Sequence, residues 1–196
     1  MSLPHVLLGM LAEPASGYDL KQRFEQSVRY FWYAELSQIY PALAKLEKQG
    51  LLRSKQAPSD KGPSKKIYTR TGKGKRALQE WLSDGPVLRT ERLAYLTQLF
   101  FLDEIPNARR IEFMQELRDD FAQRLEELKL IERNWASEDA RFPDNLPDGE
   151  LVKHMTLRSG LMKYAMMVEW CEECLGRLES RQESTGHRNS RNRKVS

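Results

Sequence analysis

One stretch constrains this chain more than any other: Ser37 to Leu52, SQIYPALAKLEKQGLL. Ile39, Leu43 and Leu46 recur at helical spacing, which predicts a helix over residues 37–49 with a single apolar stripe. Ser37 is placed to cap its start, and Pro41 falls in or just beyond the first turn, where proline is best tolerated. Gly50 suits the left-handed position that closes a helix. The opposite face is short, polar and cationic, with Gln38, Tyr40, Ala44, Lys45 and Lys48. Two segments of strand length follow, Leu51 to Lys55 and Ile67 to Arg70. They are joined by QAPSDKGPSKK, a loop too polar to be core. A helix next to a basic two-stranded ribbon is the pattern of a winged helix-turn-helix.

The flanking segments agree. Leu3, Val6, Leu7, Met10 and Leu11 mark a first helix that Glu13-Pro14 breaks. Ser16 caps a second, with Asp19 in its first turn and Leu20 and Phe24 on its buried side. Tyr30, Phe31, Trp32 and Tyr33 form an aromatic link. Thr71 caps a helix from Gly72 to about Leu82, with Ala77, Leu78, Trp81 and Leu82 turned inward. The order α-α-α-β-β-α predicts a winged helix over residues 1–84.

Ser83-Asp84-Gly85-Pro86 opens a linker, assigned to 85–91. Beyond it the chain changes character. Leu93, Leu96, Leu99 and Phe100 mark one helix; Met114, Phe121, Leu128 and Trp135 recur every seven residues in a long second one. After the loop RFPDNLPDG, a last helix carries Leu157, Leu161, Tyr164, Val168, Cys171 and Leu175 in a four-three alternation. Each long helix has about thirty residues, hence a length of about 45 Å. Joined by a short loop, they are expected to pack antiparallel. Met155, Met162, Met166 and Trp170 add a second apolar edge, which a lone hairpin would leave in water. Residues 92–180 are therefore read as a helical dimerisation domain, with Leu157, Leu161, Tyr164, Val168, Cys171 and Leu175 as its dimerisation residues. The predicted fold class is mainly α with a small β wing. Residues 181–196 are nearly devoid of apolar side chains and are expected to be a disordered basic tail.

Charge divides along the same boundary. Residues 1–84 carry 14 Lys and Arg against 8 Asp and Glu, whereas residues 85–180 carry 13 against 19. A basic front and an acidic rear suit a polyanion-binding module joined to something else. Other classes find little support. His5, His154 and His187 are far apart in sequence, and no Gly-rich phosphate loop, metal-ligand cluster or cofactor motif is evident, which speaks against an enzyme. Cys171 and Cys174 lie one turn apart within a helix and read as ordinary helix cysteines. No apolar run is long enough for a bilayer span, so a cytoplasmic protein with no membrane partner is expected.

Double-stranded DNA is the partner this pattern suits. A helix in the major groove reads base edges, while cations on it and on a wing grip phosphates. The residues assigned are Ser37, Gln38, Tyr40, Pro41, Lys45 and Lys48 on the helix, and Lys61, Ser64, Lys65 and Lys66 in the wing, residues 56–67. The alternative is a winged-helix adaptor that binds proteins and not DNA, but an adaptor needs neither basic element.

These residues resemble the PadR family of bacterial transcription regulators. Gly17-Tyr18 matches the pair that opens the family's second helix. Ser37, Tyr40, Pro41, Leu43, Leu46, Glu47, Gly50 and Leu51 match its recognition helix, and Tyr68, Thr71 and Gly74 match the end of its wing. Arg70 stands where an apolar residue is usual; either the strand end is more exposed here or the arginine points outward towards DNA. The resemblance implies a homodimer whose helical arms cross and whose winged helices read an inverted repeat. It also implies a small aromatic effector in many relatives, repression in those and activation in others. Trp32, Trp81, Tyr95 and Trp135 are the candidate effector linings.

Overall fold

The computed structural model describes residues 3–27, 35–58, 65–88 and 92–192, giving the backbone alone for 26, 27 and 182–192. Lys61, Ser64 and Trp32 lie outside the described residues. The chain forms two compact units, residues 1–90 and 91–196.

The first unit contains α1 (Leu3–Met10), β1 (Ala15–Ser16), α2 (Gly17–Ser27), α3 (Leu36–Lys48), β2 (Leu52–Ala57), β3 (Lys65–Arg70) and α4 (Gly72–Ser83). The strands form an antiparallel sheet in the order β1-β3-β2. β1 was not foreseen. It is two residues long, too short to show a period of two, and Ser16 does double duty. Its backbone belongs to the sheet, while its hydroxyl accepts from the Asp19 N–H and its own N–H donates to the Asp19 carboxylate. This reciprocal cap opens α2.

The core follows the helical stripes. Leu7, Leu8 and Leu11 meet Leu20 and Phe24 of α2 and Ile39, Leu43 and Leu46 of α3, with Leu52 and Tyr68 from the wing closing the base. Burying each such Leu or Ile is worth about 1.5–3 kcal/mol. α4 seats Ala77, Leu78 and Trp81 partly, but Leu82, expected inside, is 62% exposed because it follows the last inward turn.

Both ends of α3 explain why it holds its shape. Its N-cap is Glu35, two residues before the expected Ser37: the Gln38 carbonyl accepts from the Glu35 N–H in a capping box. Pro41 consequently lies inside the helix. At the other end Gly50 has φ +72, and the bonds Gly50 N–H to Glu47 and Leu51 N–H to Leu46 complete a Schellman motif. Thr71 then ties this turn to α4. Its hydroxyl donates to the carbonyls of Gly50 and Leu51 and accepts from the Gly74 N–H.

The second unit contains α5 (Ala94–Phe100), a 3-10 turn at Leu102–Glu104, α6 (Asn107–Glu138) and α7 (Asp148–Asn192). α6 and α7 form an antiparallel hairpin. Its register is set by the Asn107 amide on the Leu178 carbonyl, by Phe121 beside Tyr164, by Glu132 paired with Arg158 and by Trp135 against His154. Met114, Phe121 and Leu128 are buried on α6. α7 continues to Asn192, beyond Ser180, where disorder was expected. The composition of 181–192 denies it a core, but an established helix extends at the cost of fixing one residue per hydrogen bond gained. Among the described residues no helix is long and apolar enough to cross a membrane.

A candidate nucleic-acid interface

The stripe that α3 buries dictates what it displays. With Ile39, Leu43 and Leu46 turned inward, Ser37, Gln38, Tyr40, Pro41, Ala44, Lys45 and Lys48 face solvent. Two of these residues also serve the scaffold. The Gln38 carbonyl is engaged by the cap, which leaves its amide N–H groups outside that bond. The Tyr40 ring lies over Gly17 at the start of α2. A Cβ on Gly17 would come within 2.4 Å of that ring. Only glycine leaves room for it, so the glycine sets the pitch of Tyr40.

Lys65 and Lys66, adjacent in sequence, point to opposite faces of β3. Lys65 shares its face with Arg53 and Lys55 of β2, to judge from the pairs Ala57 with Lys65 and Lys55 with Ile67. All three cations are exposed. Lys66 lies on the face of the buried Tyr68. There its Nζ is 2.7 Å from Glu47 of α3 and 5.3 Å above the Tyr68 ring. The hydrogen bonds from Lys66 and Ser54 hold the Glu47 carboxyl below its usual range, and Glu47 in turn raises Lys66. The remaining ion pairs of this unit among the described residues are Lys21 with Glu25 and with Glu35. Lys45, Lys48, Arg53, Lys55 and Lys65 therefore form no ion pair within 4 Å among the described residues, although Lys65 is near enough to Asp19 to help lower its carboxyl.

Sequence reasoning grouped Lys66 with the outward cations because it counted charge without the strand's alternation. The same alternation would have found Arg53 and Lys55, which were missed. Arg70 also departs from expectation. Its Nη1 donates to the Leu8 carbonyl at 2.8 Å, so it is half-buried and pins the wing to α1.

Residues 6–80 match the model of the transcriptional regulator PadR-like family, and residues 91–179 match the virulence activator alpha C-terminal model. The chain carries a PadR-like transcriptional regulator domain followed by a virulence activator alpha C-terminal domain. It is 28% identical over 193 residues to a probable transcriptional regulator of Mycobacterium tuberculosis, covering 92% of this chain and 100% of that one. Bacillus subtilis PadR in complex with operator DNA superposes with a TM-score of 0.76 at 25% identity, covering 91% of this chain and 99% of that one. The Vibrio cholerae virulence activator AphA gives 0.71 at 27%, with the same coverage. These PadR-like relatives are regulators of transcription and not enzymes.

The C-terminal unit corrects one assignment. Leu157, Leu161, Tyr164, Cys171 and Leu175 are buried within their own hairpin, and Val168 is partly buried. They form the intramolecular seam with α6, so they are not a surface for a second chain. A four-three stripe cannot by itself say whether its partner helix is the chain's own. The exposed apolar edge of α7 is instead Val152, Met155, Met162 and Met166. Within the second unit the effector candidates Tyr95 and Trp135 have separate surroundings, and Trp81 belongs to the first unit. Trp81 stacks on His5 in the first unit, with ring centroids 4.5 Å apart. Tyr95 packs on Phe121, while Trp135 sits two heptads further along α6, against Phe142 and His154. That separation is about 21 Å along the helix. Burial raises the thiols of both cysteines, Cys171 to about 11, which keeps them protonated.

Proposed function

We propose that the chain acts as a homodimeric repressor that reads an inverted-repeat operator, with α3 in the major groove and the wing beside it. The observation that carries this reading is the set of exposed cations Lys45, Lys48, Arg53 and Lys55, with Lys65 beside them, displayed without a close ion pair by elements whose own packing is complete. A face that already has its core and its caps, yet carries several unneutralised charges, suits a polyanion. The second copy is supported by the apolar edge of α7. Val152, Met155, Met162 and Met166 recur at helical spacing and are more than half exposed. A matching edge from another chain would cover them, and two-fold symmetry would pair two winged helices with two half-sites. A small aromatic effector is retained in this reading for Tyr95, beside Phe121 and Tyr164. A cytoplasmic location follows, because the reading requires access to bacterial DNA.

The test is a titration of the protein against a duplex from upstream of its own gene, at several salt concentrations. Affinity should fall steeply as salt rises. The Lys45→Ala/Lys65→Ala variant should flatten the slope by about four on a log-log plot, because the dimer loses two phosphate contacts per protomer and each removes about 0.9. Failure to bind any duplex with the dimer intact would leave the adaptor as the better reading.

A further inference from the structure

Glu47 stands apart on the displayed side of α3. It is half-buried in a row of cations and is the one carboxylate on that helix. Three elements converge on it. Its Oε2 accepts from Lys66 of β3 at 2.7 Å, and its Oε1 accepts from the Ser54 hydroxyl of β2. Ser54 and Tyr68 are directly paired across the ribbon, and the Lys66 ammonium lies over the Tyr68 ring. A single carboxylate thus holds both strands of the wing to the helix that bears Tyr40, Lys45 and Lys48.

The geometry points to Glu47 as a positioning residue for DNA recognition, with Lys66 and Ser54 as its partners. The inference rests on the DNA-binding reading and goes one step further, by dividing the wing cations by role. Lys65, Arg53 and Lys55 lie on the other face and are available to phosphates. Lys66, although exposed, is engaged by Glu47 of its own chain. The pair fixes the angle between two elements that must engage adjacent grooves together. That angle matters for an operator, where both elements must fit at once. It matters little for arbitrary DNA, where either element alone gives the same loose electrostatic hold.

Charge reversal separates this role from a phosphate contact. The variants are Glu47→Ala/Lys66→Ala, which removes the pair at unchanged net charge, and Glu47→Lys/Lys66→Glu, which inverts it. A lysine at 47 can still donate to Ser54, since a hydroxyl also accepts. Binding is measured to the duplex from upstream of the gene and to a random duplex of equal length, across a salt series. The double alanine variant is expected to bind the first duplex about five-fold more weakly, to bind the random one unchanged and to keep its salt slope. The inverted pair is expected to recover most of the loss. Two results overturn the inference. One is a slope shallower by about two, one contact from each protomer, with the inverted pair binding worst, which would make Lys66 a phosphate contact. The other is no change in any variant. Ser54→Ala provides an independent check in the same direction should a double variant fold poorly. A wild-type chain that binds neither duplex would instead sink the DNA reading, and would do so before any substitution is made.

Discussion

The two units spend their apolar residues differently. In the first, every large aliphatic side chain of the α3 stripe is buried by the unit itself, and the face that α3 leaves outside is largely polar and cationic, while Leu82, Val87 and Leu88 beyond it stay exposed. In the second, the α6–α7 seam is complete, yet a further row of methionines and a valine stays in water. Phe100 and Phe101 are also exposed at the start of this unit, packed edge to face on each other. A unit finished within one chain is free to offer its surface to a ligand of another kind. A unit left with an apolar edge is finished only by more protein.

If that contrast holds, the largest effect belongs to the α7 edge. Met155→Glu/Met162→Glu should halve the mass seen by sedimentation and weaken operator binding by roughly 100-fold or more, since two linked half-sites lose their avidity. Unchanged mass would break the comparison. The next effect is confined to the first unit. Leu43→Ala should lower its stability by about 2–5 kcal/mol in denaturant unfolding, through lost burial and a cavity. Because the seam and edge of the second unit are untouched, dimer mass at low denaturant should not change.

Gly17→Ala sharpens the same contrast on the polar side. The new methyl displaces the Tyr40 ring without touching the core stripe. Operator affinity should fall by several-fold, about 1 kcal/mol, with a melting temperature near that of wild type. A large loss of stability would show that Tyr40 is structural. The smallest effect lies at the far end of the hairpin, where Arg141 donates from its backbone and guanidinium to Asp139 and also pairs with Glu150. These bonds lower the Asp139 carboxyl from 3.8 to about 2. A depressed folded value adds stability above the unfolded pKa, and that contribution disappears as pH falls from about 4 towards 2. Asp139→Asn should flatten this part of the acid unfolding profile of the second unit and leave the first unaltered.

Much of this was legible in the chain. Ile39, Leu43 and Leu46 announced a buried stripe by spacing alone, and Thr71 and Gly50 announced caps because few residue types serve those positions. What was missed has physical causes. The start of α3 shifted by a turn's fraction because Glu35 and Gln38 cap reciprocally, and a glutamate is a less conspicuous cap than a serine. The hairpin seam was mistaken for a dimer surface because periodicity reports that a face is buried, never by whom. The division between Lys65 and Lys66 was invisible because a run of lysines looks uniform in sequence, while a strand sends alternate residues to opposite sides. Arg70 posed a question that only the neighbouring helix could answer, through the Leu8 carbonyl 62 positions away.

The cap at the head of α3 bears on how such a protein can acquire a new target. Ser37, Ala44, Lys45 and Lys48 owe nothing to the core, so drift or a designer can exchange them singly and alter the preferred sequence while the fold stands. Gln38 is different. It closes the helix with one end of its amide and offers the other outward, so a new residue there changes reading and architecture in a single step. Because its partner is the backbone N–H of residue 35, the replacements at 38 that keep the fold are those, such as glutamate, that still offer an acceptor there, whatever side chain stands at 35.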